Sequence, residues 1–234
     1  MTHLHDTANS RQVYLGDRAP RRRTKLAPDP DVRCAIVAAA AKCLRAHGIR
    51  GLSVAVVLEE AQLSTRAFYR HFDSKDQLVT AVFTELTRIE VLRLKSKMAA
   101  AATPVEAVAA WIDGRFDLAF DDDTESDLRR LLMEAQSKVC ASPEPMAPPY
   151  PMIFVPLIEQ LQRGLDVGVF HDVAPATAAK ALHGVVCAAT QRQRTTSHAE
   201  RMETRERAIR FCLRGLGVSP ETIETLSEHW AAAS

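Results

Sequence analysis

Between Ser53 and Leu78 the chain gathers hydroxyl, guanidinium and phenol groups at helical spacing. Thr65 and Tyr69 are four residues apart, as are Arg66 and Arg70, so a helix through this segment carries all four on neighbouring rows. Such a surface cannot all face a core. A single helix fits the major groove of DNA, where hydroxyls and guanidiniums bond base edges and phosphates. Phe68 and Phe72, also four apart, are expected to pack inward and fix the angle of the helix. Other chemistries find no support. There is no glycine-rich phosphate loop, no G-x-S-x-G and no H-E-x-x-H, so an enzyme is not expected. The acids Asp117, Asp121, Asp122, Asp123, Glu125 and Asp127 could suggest a divalent-cation site. They read more simply as a solvated turn with acids at a helix start. Neither metal nor cofactor is expected.

The elements that must position these residues follow from caps and periodicity. Ser53 caps a short helix over about 54–61, Gln62-Leu63 forms a turn, and Ser64 caps a second short helix over about 65–71. Val57, Leu58, Ala61 and Leu63 are expected to be buried between them, which makes a helix-turn-helix. Asp73-Ser74 opens a long helix, with Lys75 and Asp76 in its first turn. Its apolar face of Leu78, Val82, Leu86 and Ile89 continues to about Met98, long enough to link two domains. Upstream, a helix should start near Asp29–Asp31, bury Val32, Ile36, Ala39 and Cys43, and stop at Gly48. Downstream, Pro104 suits the first turn of a helix over about 104–120. Further helices are expected over about 125–140, 152–166, 175–195, 199–216 and 220–230, with a five-proline loop at Ser142–Pro151. No alternating strand pattern competes, so the fold class is all-α.

Composition agrees. The 234 residues are 47% hydrophobic and include only 9 glycines, enough for a real core and inclined to helix. Net charge is +1, but it is unevenly spread: residues 1–75 hold 13 Lys/Arg against 7 Asp/Glu, the rest 17 against 22. The basic excess lies beside the helix-turn-helix, as attraction to phosphate requires. The five cysteines, Cys34, Cys43, Cys140, Cys187 and Cys212, have no metal-type spacing and read as reduced core residues. No apolar run opens the chain or reaches the length that spans a bilayer, so no membrane partner and a cytoplasmic location are expected.

The run Ala67-Phe68-Tyr69-Arg70-His71-Phe72-Asp73-Ser74-Lys75-Asp76-Gln77-Leu78, preceded by Leu63-Ser64, resembles the TetR family of bacterial regulators. The resemblance is specific over residues 31–85 and elsewhere rests on helix count and length. It implies DNA contacts by Ser64, Thr65, Tyr69 and His71, and phosphate contacts by Ser53 and Lys75. Lys75 also has its own rationale, since helix N-termini attract anions. Thr65, Arg66 and Tyr69 are the candidates for base edges, and Arg70 completes the DNA-facing set. Two positions depart from the family pattern. The turn is Ala61-Gln62 where Ala-Gly is usual, so a positive backbone angle there would cost more. The pair Val57-Leu58 has a larger second residue than the family favours.

The expected organisation is a flexible basic arm over residues 1–28, a helix-turn-helix domain over 29–76, and a helical domain over 77–234 for ligand binding and dimerisation. The arm carries Arg21-Arg22-Arg23 and Lys25. Two-fold operators call for a homodimer. Candidate interface residues are Ala178, Leu182, Val185 and Ala189 on one helix, and Ile209, Cys212, Leu213 and Leu216 on the next. Internal core is the alternative for them. The resemblance also implies a pocket for a small-molecule effector, expected to be apolar or amphipathic. Trp111, Phe116, Phe120, Met133, Phe154 and Phe170 are its candidate lining, with Arg115 and His183 as polar groups. The expected function is a transcriptional regulator, most simply a repressor that an effector releases from double-stranded operator DNA. A helical module that binds another protein is the competing reading, and salt dependence separates the two.

Overall fold

The structure is a computed structural model that describes residues 29–120, 150–191 and 197–233. The arm over 1–28, the helix expected over 125–140, most of the five-proline loop, Met133 and Cys140 lie outside the described residues. Among the described residues there are nine α-helices and no strand. They are α1 (Pro30–Gly51), α2 (Val54–Ala61), α3 (Thr65–His71), α4 (Lys75–Met98), α5 (Pro104–Phe120), α6 (Val155–Asp166), α7 (Pro175–Gln191), α8 (His198–Gly215) and α9 (Pro220–Ala233). A single 3-10 turn, Tyr150–Phe154, leads into α6.

Serines set several of the N-termini. Ser53, Ser64, Ser74 and Ser197 each accept a bond from the backbone N–H three residues on, and Ser197 with Glu200 completes a capping box. Asp29 caps α1 with Pro30 in its first turn. The expected stop at Gly48 is a sharp kink at φ 66°, after which helical backbone resumes to Gly51. The segment expected as helix from 152 begins instead as the 3-10 turn, because Pro156 supplies no backbone N–H for an earlier α-helical bond.

Two apolar clusters form. The first joins α1, α2, α3 and the first half of α4 around Ile36, Leu44, Val57, Phe68, Phe72, Leu78 and Val82. The second joins the end of α4 to α5 through α9 around Leu94, Trp111, Ile112, Phe116, Leu157, Phe170 and Leu213. Helix α4 therefore belongs to both, and Leu118 near the end of α5 packs against the first. Helix α5 is the axis of the second cluster. It touches α4, α6, α7 and α8, and buries residues on every side of its middle turns. Gly114 allows that closeness, since a Cβ there would sit 2.7 Å from a methyl of Leu94. Arg93 on α4 donates to the Gly114 carbonyl across the same contact. The core reading of the cysteines holds for Cys43 and Cys212, which are buried, but Cys34 is exposed on the outer side of α1 and Cys187 is half-buried.

Candidate nucleic-acid interface and effector site

Helix α3 is held from behind by two aromatic rings. Phe68 and Phe72 are buried with ring centroids 5.7 Å apart, and Arg33 of α1 lies over Phe72 at 5.1 Å. The opposite side is open: Thr65, Arg66, Tyr69 and Arg70 are all exposed, Tyr69 at 61%. A 61%-exposed tyrosine on a short, rigid helix contributes nothing to the chain's own core. Its ring edge rests on Phe68 at 5.2 Å, which aims it without covering it.

Three serine-capped helix N-termini belong to the same domain. Ser53 caps α2 through Val56 N–H at 3.2 Å, and Ser64 caps α3 through Ala67 N–H at 3.3 Å. Ser74 caps α4 through Gln77 N–H at 3.1 Å, which puts Lys75 at the first helical position. Each terminus contributes partial positive charge and spare N–H groups, a setting that suits phosphate oxygens. His71 closes α3 half-buried, and its Nδ1 has no hydrogen-bond partner.

The turn between α2 and α3 is a tight reversal at Gln62, φ 55° and ψ 39°. Leu63 N–H donates to the Leu58 carbonyl at 2.9 Å and Gln62 N–H to that of Glu59 at 3.1 Å, which ends α2 in a Schellman-type cap. The positive angle feared for Gln62 is thus present, and the non-glycine residue carries it. An ion pair of 2.6 Å between Lys42 and Glu60 ties α1 to α2.

The family model for bacterial regulatory proteins of the tetR family matches residues 36–82. Residues 36–82, which hold α2, α3 and parts of α1 and α4, are therefore similar to the DNA-binding domain of the TetR family. Members of the TetR family are DNA-binding transcription regulators, not enzymes. The TetR-like fold extends through the C-terminal helices of solved structures. A TetR-family regulator from Pectobacterium atrosepticum is 18% identical, with TM-score 0.60, over 80% of this chain and 94% of that one. SmeT, the repressor of a multidrug efflux pump of Stenotrophomonas maltophilia, is 20% identical with TM-score 0.55 over 78% and 89%. RolR in complex with resorcinol is 17% identical with TM-score 0.54 over 84% and 92%. No curated protein matches the chain by sequence.

Of the residues named for a pocket, one subset converges. Trp111, Phe154 and His183 are buried together, with ring centroids 6.4 Å from Trp111 to His183 and 5.4 Å from Phe154 to His183. Trp111 Nε1 donates to the Ile153 carbonyl at 3.4 Å. Arg115, one turn along α5 from Trp111, is 4% exposed and reaches Glu90 of α4 at 3.3 Å. Burial, and then the charge of Arg115, push the His183 imidazole down to about 3, so it is neutral at pH 7. Phe116 is buried on the same helix and stacks at 5.5 Å on Phe120, which is half-buried under Arg201 at 5.7 Å. Phe170 lies apart, folded over Gly164. Sequence reasoning missed Glu90, Thr87 and Cys187. Glu90 and Thr87 are buried on α4, and the Cys187 sulfur lies 3.2 Å from His183 Nε2. A carboxylate in mid-helix, three residues from an arginine, looks like a surface pair in a sequence; only packing shows it inside.

The residues named for a dimer interface divide. Ile209, Leu213, Cys212, Leu216 and Leu182 are buried in the chain's own core. Ala178, Val185 and Ala189 are half-buried. A groove of about 300 Å³ runs between α7 and α8, lined by Ala178, Ala181, Leu182, Val185, Phe211 and Leu216 among others. Phe211 stands at its edge 66% exposed, and sequence reasoning did not single it out. No helix among the described residues is long and apolar enough to cross a membrane, and no cluster of metal-ligating side chains occurs among them.

Proposed function

We propose that this protein is a TetR-family, sequence-specific repressor whose homodimer reads operator DNA through α3 and is released by a small-molecule effector. The observation that carries the reading is the exposed row of Thr65, Arg66, Tyr69 and Arg70 on a helix locked by Phe68 and Phe72. In this reading Thr65, Arg66 and Tyr69 meet base edges. Ser53, Ser64, Arg70, His71 and Lys75 take phosphates around them, fixing register without reading sequence. Two copies of α3 sit in successive major grooves, one turn of DNA apart. The half-open groove between α7 and α8, with Phe211 at its edge, is the face on which the copies meet. The effector occupies the region of Trp111, Phe154 and His183. That RolR was solved with resorcinol and SmeT is a repressor supports ligand-controlled repression as the kind of mechanism.

Fluorescence anisotropy on DNA upstream of the protein's own reading frame, over a salt series, tests the proposal. Tyr69→Ala and Lys75→Ala are each expected to weaken binding about tenfold or more without lowering the melting temperature. Loss of Tyr69 should relax sequence preference, whereas loss of Lys75 should reduce the salt slope by about one. Unchanged binding in both variants would remove the site assignment. Binding indifferent to salt would favour a protein-docking module instead.

A further inference from the structure

One buried cation in the C-terminal cluster is held less well than its surroundings allow. Glu90, 2% exposed, gives both carboxylate oxygens to Arg93, at 2.8 and 2.9 Å. Arg115 reaches only one of those oxygens, through Nη1 at 3.3 Å, and its Nε has no hydrogen-bond partner. Around this pair runs a connected set of charges from α4, α5 and α8. Lys97 and Arg205 both bridge to Asp113 and Asp117, and Arg93 also approaches Asp117 at 3.8 Å. Among the described residues of that set, Arg93, Lys97, Arg115 and Arg205 face Glu90, Asp113 and Asp117, one cation more than carboxylates. The other three cations bond carboxylates closely and are more exposed, which leaves the deepest, Arg115, as the one short of an acceptor. A guanidinium presents five donors in a rigid fork matched to a carboxylate, and burying it half-satisfied is unfavourable.

The flanking groups are flat rings. Trp111 lies one turn before Arg115 on α5, and its ring meets His183, which in turn meets Phe154. We propose that Arg115 anchors the carboxylate of an aromatic acid effector whose ring lies among Trp111, Phe154 and His183. This rests on the ligand-controlled reading above and names the chemical class of the ligand. The incoming carboxylate competes with Glu90 for the Arg115 fork. Glu90 is on α4, so the same exchange loosens a tie between α5 and the helix that carries Lys75.

The test uses the full-length protein with Trp230→Phe, which leaves Trp111 as the single tryptophan. Its fluorescence is titrated with benzoate and phenylacetate, and with the matched neutral probes benzyl alcohol and 2-phenylethanol. The carboxylates are expected to bind at least about tenfold more tightly than the alcohols, as a charge-assisted bond to a buried donor requires. Arg115→Met should abolish that preference. Glu90→Gln, which removes the competing carboxylate and keeps its shape, should strengthen carboxylate binding and leave the alcohols unchanged. Equal response to both probe classes, or none to either, overturns the proposal. Should Arg115→Met fail to fold, Glu90→Gln decides, and carboxylate affinity that does not rise is a refutation. Operator binding measured in parallel separates the two readings. Intact, salt-sensitive DNA binding without carboxylate preference refutes only the effector class; carboxylate preference without DNA binding refutes only the regulator.

Discussion

Gln62 sits where most side chains do not. Its left-handed backbone closes the turn between α2 and α3, and a residue with a Cβ gives up about 1–2 kcal/mol there. Gln62→Gly removes that strain but frees the unfolded chain, an opposing effect of about 0.4–1 kcal/mol. The net expectation is a gain of about 0.5–1 kcal/mol, seen as a melting temperature about 2–3 °C higher for a chain of this size. A midpoint that stays put would mean that the turn relaxes elsewhere. His183 gives a pH signature. Its imidazole titrates near 3 when folded and near the ordinary 6.5 when unfolded. Between those values the unfolded chain binds the extra proton, so stability falls as pH drops through that window, by up to about 1.4 kcal/mol per pH unit. Above about 6.5 the residue is neutral in both states and contributes no slope. Denaturant midpoints at pH 7 and pH 5 should therefore differ less in His183→Gln than in the wild type, since burial first and the charge of Arg115 second keep the folded imidazole neutral; equal slopes would mean that protons enter elsewhere. The strained Gln62 was legible in the sequence because its neighbours name the turn. The buried Glu90 was not, because a carboxylate and an arginine three apart describe an exposed pair equally well.

At the scale of elements, the helix starts were the most legible feature, since a serine hydroxyl three residues before a free N–H is local chemistry. Helices α2, α3, α4 and α5 begin where Ser53, Ser64, Ser74 and Pro104 place them. Orientation was less legible. An apolar stripe on α7 or α8 states that a face is buried, not whether the chain or a second copy buries it, so Ile209 and Leu213 turned out to face inward and Phe211 outward. The end of α6 shows a contact that no pattern encodes. Phe170 folds back over Gly164, where a Cβ would come 2.0 Å from its ring. Val169 and Phe170 N–H both donate to the Gly164 carbonyl, at 2.9 and 3.2 Å, and pin the reversal. Gly164→Ala must push the ring aside. The expected cost is about 1–3 kcal/mol in chemical denaturation, with α-helical circular dichroism kept. A neutral result would show that Phe170 finds a second seat.

Along the sequence a basic excess over residues 1–75 precedes an acidic remainder, so under the proposed function long-range attraction to DNA would also orient the protein. Dimerisation should rest on the α7–α8 groove. Phe211→Glu, placing charge on its 66%-exposed edge residue, is expected to shift the protein to monomer in sedimentation and to weaken operator binding by more than tenfold, while the isolated fold melts unchanged. A dimer that survives would move the interface elsewhere. The double membership of α4 also has a mechanical side. It is one unbroken rod through both cores, and Glu90 and Lys75 lie fifteen residues apart on it, roughly 22 Å at 1.5 Å per residue. A pivot of about 5° at Glu90 swings the Lys75 end by about 2 Å over that arm. That exceeds the distance range of a hydrogen bond. A rearrangement no larger than one carboxylate changing partners at the fulcrum is thus geared up, by length alone, to the tolerance of a phosphate contact at the tip.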